Sequence, residues 1–346
     1  MRNSEQRIQN TESRIQKAPG TAALVSLLCS VFCILCSFIF LAPPALAQKS
    51  WTPSRTPDGQ PNLEGLWTNI TITPLERPAE FAGKPFFTKA EAEGYEKRVL
   101  ANNNADRRDG GVEADLGRAY NDAWYDRGTH IVPTLRTSLV IDPPDGKIPP
   151  LTPERQKQMA TLRDTFQSRA TDGPEYRPLP ERCLVWPTAG PPMLPSFYNN
   201  NYRIVQAPGY VMILVEMIHD ARIIPLDGRP HAPASVRQWL GDSRGRWEGN
   251  TLVVETANFN GKTRFRGADE NLKLIERFTR TDPDTITYEF TVSDPTAFTK
   301  PWSAQIPMRR TEEPIFEYAC HEGNYALTGV LAGARADEKR NEKGER

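Results

Sequence analysis

The stretch EYACHEGNY, Glu317–Tyr325, places Cys320, His321, Glu322 and Asn324 within five residues. Thiolate, imidazole and carboxylate are zinc ligands, and the last two are also the usual acid–base groups of hydrolases. A second cluster, HDARIIPLDGRPH, holds His219 and His231, two of the four histidines in the chain, together with Asp220, Arg222, Asp227 and Arg229. His219, His231 and His321 would supply three metal ligands. No close-spaced pair such as H-x-H or H-E-x-x-H occurs, however, and the spacing predicts no metal site. The plainer reading pairs Asp220 with Arg222 across a turn, and assigns His321, Glu322 and Asn324 to capping and turn hydrogen bonds. GDSRG at 241–245 lacks the spacing of the G-x-S-x-G elbow, and no strand–turn–helix pattern surrounds it. Arg244, Arg246 and Glu248 read instead as cross-strand ion pairs. The aromatic-polar run Tyr120, Trp124, Tyr125, Asp126, Arg127 reads equally as a binding wall and as an amphipathic segment. No Walker loop, dinucleotide glycine fingerprint, C-x-x-C or haem motif occurs, so no cofactor is expected.

These groups depend on a scaffold that is written mainly in β periodicity. From Phe197 the chain reads as a meander of short strands separated by turn signals, ending in IFEYAC. In TITYEFTV, Ile286, Tyr288, Phe290 and Val292 alternate with Thr285, Thr287, Glu289 and Thr291, as expected when one face is wet. Gly249-Asn250 is a two-residue hairpin signal with positive φ expected at both positions, pairing Arg246–Glu248 against Thr251–Val253. If the last strand reaches Cys320, then Cys320 and His321 point to opposite faces.

Upstream, LEGLWTNITIT reads as a strand. Thr88 with Glu91 forms a capping box, and Thr152-Pro153 starts a second helix. Thr171–Ser196 is rich in proline, which excludes regular helix or central strand. Because Leu184, Val185, Trp186, Met193 and Leu194 require burial, it reads as an ordered strap.

The first residues read as an export signal. Arg2, Arg7, Arg14 and Lys17 give a basic start, Ala18–Gln48 carries no charge, and Ala45 and Ala47 fit an A-x-A cleavage site before Gln48. The apolar run is also long enough for an uncleaved anchor, the one route to membrane association that the sequence offers. The whole chain is formally neutral, and without this segment it is near −2, since Glu5 and Glu12 leave with the four basic residues. Nothing basic points to nucleic acid. Cys183 and Cys320 then remain as an even pair in an exported chain, which predicts a disulfide pinning the strap.

PNLEGLWTN (61–69), GDSRGRWEGNTLVVETANF (241–259) and EYACHEGNY together resemble a large family of uncharacterised exported bacterial proteins. The resemblance spans almost the whole mature chain and implies export, with no particular activity. Gly65-Leu66-Trp67 is similar to the Gly-x-Trp that opens lipocalin barrels, which implies a calycin-like barrel.

The expected protein is therefore mainly β: an antiparallel meander forming a calycin-like barrel or sandwich, with two short helices and a Pro-rich strap inserted before it. The signal peptide covers residues 1–47 and a β-rich domain residues 48–335. Within that domain 62–196 holds the first strand, helices and strap, and 197–325 the meander; 336–346 is a disordered charged tail. The favoured function is binding of a small molecule at the barrel mouth, with His219, Asp220, Arg222, His231, His321, Glu322, Asn324 and Trp124 as candidate contacts. An exported hydrolase or lyase using the same histidines and acids, and a structural envelope protein, are the alternatives. The sequence assigns no oligomeric state.

Overall fold

A computed structural model describes residues 51–117 and 121–344, with His219 described through its backbone alone. The proposed signal segment and Tyr120 lie outside the described residues. Trp51–Arg346 forms one compact unit.

The meander closes on itself. In chain order the strands are β1 (Gly65–Thr68), β2 (Val140–Asp142), β3 (Asn201–Ala207), β4 (Tyr210–Val215), β5 (Ala221–Pro225), β6 (Asp242–Glu248), β7 (Thr251–Ala257), β8 (Lys273–Asp282), β9 (Thr285–Ser293) and β10 (Trp302–Arg310). The sheet runs β5-β4-β3-β1-β10-β9-β8-β7-β6, with β2 added beside β10. All pairings are antiparallel. The result is a nearly closed barrel whose ladder is interrupted between β5 and β6.

Alternation decides which side chains fill it. Ile286, Tyr288, Phe290 and Val292 of β9, and Trp302, Ala304, Ile306 and Met308 of β10, are all buried in one core with Trp67, Tyr202 and Phe278. Each large side chain removed from water in this way contributes roughly 1.5–3 kcal/mol. The hairpin at Gly249-Asn250 has the expected register, Glu248 opposite Thr251. Only Gly249 takes positive φ (61°), so the turn has the type II′ pattern rather than the expected pair of left-handed residues.

The two rims differ. Tight turns at 208–209, 249–250 and 283–284 occupy one. The opposite rim carries the chain leaving β1, the strap entering β3, and the β7–β8 and β9–β10 connections. Two helices serve this loop rim. α1 (Lys89–Asn103) has the expected capping box between Thr88 and Glu91, and packs Ala92 and Tyr95 against Phe81 and Phe87. A short α2 covers Gly111–Gly117. α3 (Pro153–Ser168) is capped by Thr152, whose hydroxyl accepts from Arg155 N–H at 3.2 Å. The buried Arg155 pairs with Asp269 and donates to Thr296, fastening α3 to the β7–β8 and β9–β10 connections.

Three expectations are corrected. The first strand ends at Thr68. Beyond it Asn69, Thr71 and Thr73 turn inward: Asn69 donates to the Tyr202 hydroxyl, Thr71 to the His130 carbonyl, and Thr73 accepts from Val132 N–H. IFEYAC is not a strand. Both edges of β10 are already occupied, so the chain after it docks by isolated contacts: Thr311 N–H to the Leu66 carbonyl just before the segment and Phe316 N–H to Glu216 within it. Its alternation fails accordingly: Phe316 is exposed while Tyr318 stacks on Tyr198. The charged tail expected to be disordered is helical as α4 (Ala326–Glu342). Its Ala, Leu, Lys, Arg and Glu are strong helix formers, i,i+3 ion pairs join Arg335 to Glu338 and Arg340 to Asp337, and Arg335 also reaches the Thr171 and Asp172 carbonyls.

Gly245 marks a close approach across the interrupted seam. A Cβ there would lie 2.6 Å from Leu226 and 2.8 Å from Ile224, whereas a Cβ on Gly249 meets nothing. Gly245→Val should therefore cost about 1–3 kcal/mol by overpacking, and Gly249→Val about 1–2 kcal/mol through its left-handed backbone alone. Denaturant titration checks both values. Loss of the β5-side packing would appear only in the Gly245 variant, as added exposure of Trp247 to a fluorescence quencher.

Candidate functional site

Inside the barrel, two charges occupy inward-facing strand positions. Arg222 on β5 donates to both carboxylate oxygens of Glu276 on β8, with Nη1 at 3.0 Å from Oε1. Both side chains are almost wholly buried. The Tyr288 hydroxyl donates to Glu276 at 2.8 Å and accepts the Met193 N–H at 3.0 Å. Ser243 stands 3.5 Å from Arg222 and shares a 2.9 Å hydrogen bond with Thr256. Burial works against the Arg222 charge, but the Glu276 carboxylate outweighs it and lifts the guanidinium above its ordinary value. Burial, reinforced by Glu276, pushes Tyr288 well up, and burial likewise raises Tyr202. The lumen is therefore a packed core with an ionic centre. Met193 of the strap, fully buried, closes it from the loop rim.

Arg222 thus pairs with Glu276, not with Asp220. The remaining candidates disperse. Asp220 follows the turn at Met217–His219 and accepts Val215 N–H through its carbonyl. Asp227 and Arg229 lie beyond the other end of β5, where Arg229 reaches Tyr210 at 3.2 Å and Leu226 N–H bonds the Gly209 carbonyl. Five residues of strand, about 16 Å, separate these two turns. They sit on opposite rims and do not form the shared site expected of them. His231 Nδ1 lies 3.1 Å from Asp242 Oδ2, which also accepts Ala232 N–H, while Arg244 pairs with the other oxygen. That arrangement pins the 226–241 loop across the seam. Of the expected cross-strand ion pairs, Arg246 with Glu255 and Glu248 with Arg277 do join different strands, whereas Arg246–Glu248 and Arg244–Asp242 run along β6 itself.

His321 and Glu322 are exposed, and Asn324 donates to the Glu181 carbonyl at 3.0 Å. The neighbouring Cys183–Cys320 disulfide is formed, with Cα atoms 5.7 Å apart. EYACHEGNY is thus a disulfide followed by a turn that holds the strap. Trp124 is 69% exposed. Among the described residues no three His, Cys, Asp or Glu side chains converge as metal ligands, and no helix is long and apolar enough to cross a membrane.

The strap, rather than the histidines, builds the concave surface. A cleft of about 530 Å³ lies between it, α1 and the chain leaving β1. Leu75, Val99, Trp186, Leu194 and Phe197 give it apolar walls. Arg127 and Arg266 also line it, and no acidic residue does. Arg127 is held by the Asn103 carbonyl at 2.8 Å and by the Tyr125 ring, 3.7 Å away. Thr188 and Ser196 in the same lining carry buried hydroxyls with no hydrogen-bond partner among the described residues. Sequence reasoning found Arg127 and the strap's need for burial but missed Glu276, Tyr288 and Arg266. An acid in phase with the apolar face of LKLIERFTR was the available signal for Glu276.

No family model, curated protein or solved structure matches this chain. Inference of function therefore rests on the chemistry of the clefts.

Two outcomes follow from the ionic centre. Glu276→Leu should cost about 3–5 kcal/mol by stranding a buried guanidinium, and adding Arg222→Met should recover much of that loss; urea melts of both variants measure the difference. The raised tyrosines also predict alkaline instability. Their folded values lie above the ordinary value near 10, so their contribution is intact below about pH 10 and declines as pH rises beyond it. Phenolate absorbance should show Tyr202 and Tyr288 ionising only as the fold is lost. Ionisation of all ten tyrosines in the folded protein would exclude their burial.

Proposed function

We propose that this is an exported protein that binds a small amphipathic molecule in the cleft between the strap and α1. The observation that carries the reading is the cleft itself: apolar walls, two arginines without an acidic neighbour in the lining, and two buried hydroxyls lacking partners. Its volume falls within the range of small-molecule sites, about 300–1,000 Å³, and a few polar groups in an apolar wall are what orients a ligand. A buried hydroxyl without a partner costs about 1–3 kcal/mol, which an accepting group on the ligand would offset. The basic start, apolar run and A-x-A site support export, as does the resemblance to exported bacterial proteins.

An acid–base enzyme has one specific observation in its favour, the His231–Asp242 pair. The Asp242 carboxylate is shared with Ala232 N–H and Arg244, and the neighbouring Ser243 hydroxyl belongs to the lumen network. The pair is better accounted for as a fastener of the loop.

Anilinonaphthalene sulfonate, an apolar anionic dye, should bind the folded protein with one site and quench Trp186. Val99→Trp, which fills the cleft from the partly buried face of α1, should weaken binding by at least about tenfold, or 1.4 kcal/mol, while the protein stays folded by circular dichroism. Equal dye affinity in the two proteins would eliminate this cleft as the site.

A further inference from the structure

A second cleft, of about 440 Å³, lies on the far side of the strap. Four segments meet there: α3 through Phe166, the outer strap through Glu175, Arg177 and Arg182, the 226–241 loop through Trp239, and the β7–β8 connection through Lys262 and Arg264. Four of the lining side chains are cationic, in a chain whose formal net charge is zero. The concentration is therefore local, not a reflection of basic composition.

The pairing state of these cations separates a site from a solvated surface. Arg177 is neutralised: it grips Glu181 through two 2.9 Å hydrogen bonds and also donates to the Ala170 carbonyl. The Arg182, Lys262 and Arg264 side chains make no hydrogen bond or ion pair with any described residue. Arg264 Nε is moreover buried without a partner. A guanidinium held partly out of water, beside two further unpaired cations and facing the lone carboxylate of Glu175, is electrostatically costly until an anion enters. Guanidinium forks match the paired oxygens of phosphate and carboxylate groups. Trp239 and Phe166 add flat apolar walls.

We infer that this cleft binds a small organic anion carrying two or more phosphate or carboxylate charges, with Arg182, Lys262 and Arg264 as its contacts. Its volume admits one small molecule, and the cationic residues form a pocket rather than the extended stripe that a nucleic-acid backbone requires. The site is independent of the apolar cleft, with which it shares no lining residue.

The test is isothermal titration of the folded, disulfide-bonded protein in low salt with two probes, inorganic pyrophosphate and phenyl phosphate. At least one should bind at one site with submillimolar affinity, and added salt should weaken it through screening. Arg264→Gln and Lys262→Gln should each weaken binding by about tenfold. The Lys262 side chain is exposed, so its variant keeps the test valid if Arg264→Gln fails to fold. Val99→Trp should leave anion binding unchanged, which separates this site from the dye site. Absence of binding by both probes, or equal affinity in the wild type and the Lys262 variant, would overturn the assignment.

Discussion

A guanidinium and a carboxylate held out of water inside the barrel govern how it can close. Between β5 and β6 no backbone ladder joins the two ends of the sheet. Arg222 projects from β5, at one end, across the lumen to Glu276 of β8, on the other side of the break. Tyr288 extends the link to the strap through Met193 N–H. Such a pair adds little net stability, because the desolvation of both ions opposes their attraction. It does exclude alternatives. A slip of one residue in β5 or β8 would turn one charge toward solvent and leave the other buried alone.

The strap is the second consequence. Its prolines cannot enter a ladder, so it must be held by side chains and by covalent connection. The Cys183–Cys320 bridge spans 137 residues of chain, a loop for which the chain-entropy argument gives about 4–5 kcal/mol. Around it, Tyr318 packs on Trp186 and Tyr198, and Asn324 holds the Glu181 carbonyl. The segment after β10 therefore works as a clasp. Glu216, buried at the end of β4, completes it by accepting N–H groups from both Asn201 and Phe316.

What was legible in the sequence was whatever depends on near neighbours. Period-two alternation located β9, Gly249-Asn250 located the β6–β7 hairpin, the capping box located α1, and Thr152-Pro153 located the start of α3. The cysteine pair and the buried strap were also readable. What failed depended on partners distant in sequence. IFEYAC has strand composition, yet both edges of β10, the strand it follows, were already taken. Arg222 has Asp220 two residues away, but its inward phase on β5 carries it to Glu276, 54 positions later. The histidines drew attention because they are few. His321 lies in an exposed turn and His231 in a loop fastener, whereas the clefts are assembled from prolines, aromatics and arginines scattered over several segments.

The division of labour between the rims explains why both clefts border the strap. Hairpins of two residues leave no chain to build walls, so on the turn rim only the 226–241 loop and the segment after β10 set out to reach other parts of the fold. The loop rim receives the long connections, and the strap crosses them while its Met193 closes the lumen. The barrel interior is committed to packing and to the ion pair. Concave surface arises instead where the strap meets other loops: apolar where it faces α1 and the chain leaving β1, cationic where it faces α3 and the β7–β8 connection. Proline stiffness and the disulfide keep both walls in place at low entropic cost. The clasp that looked like a reactive cluster in the sequence thus serves these surfaces indirectly, by holding the segment that forms them.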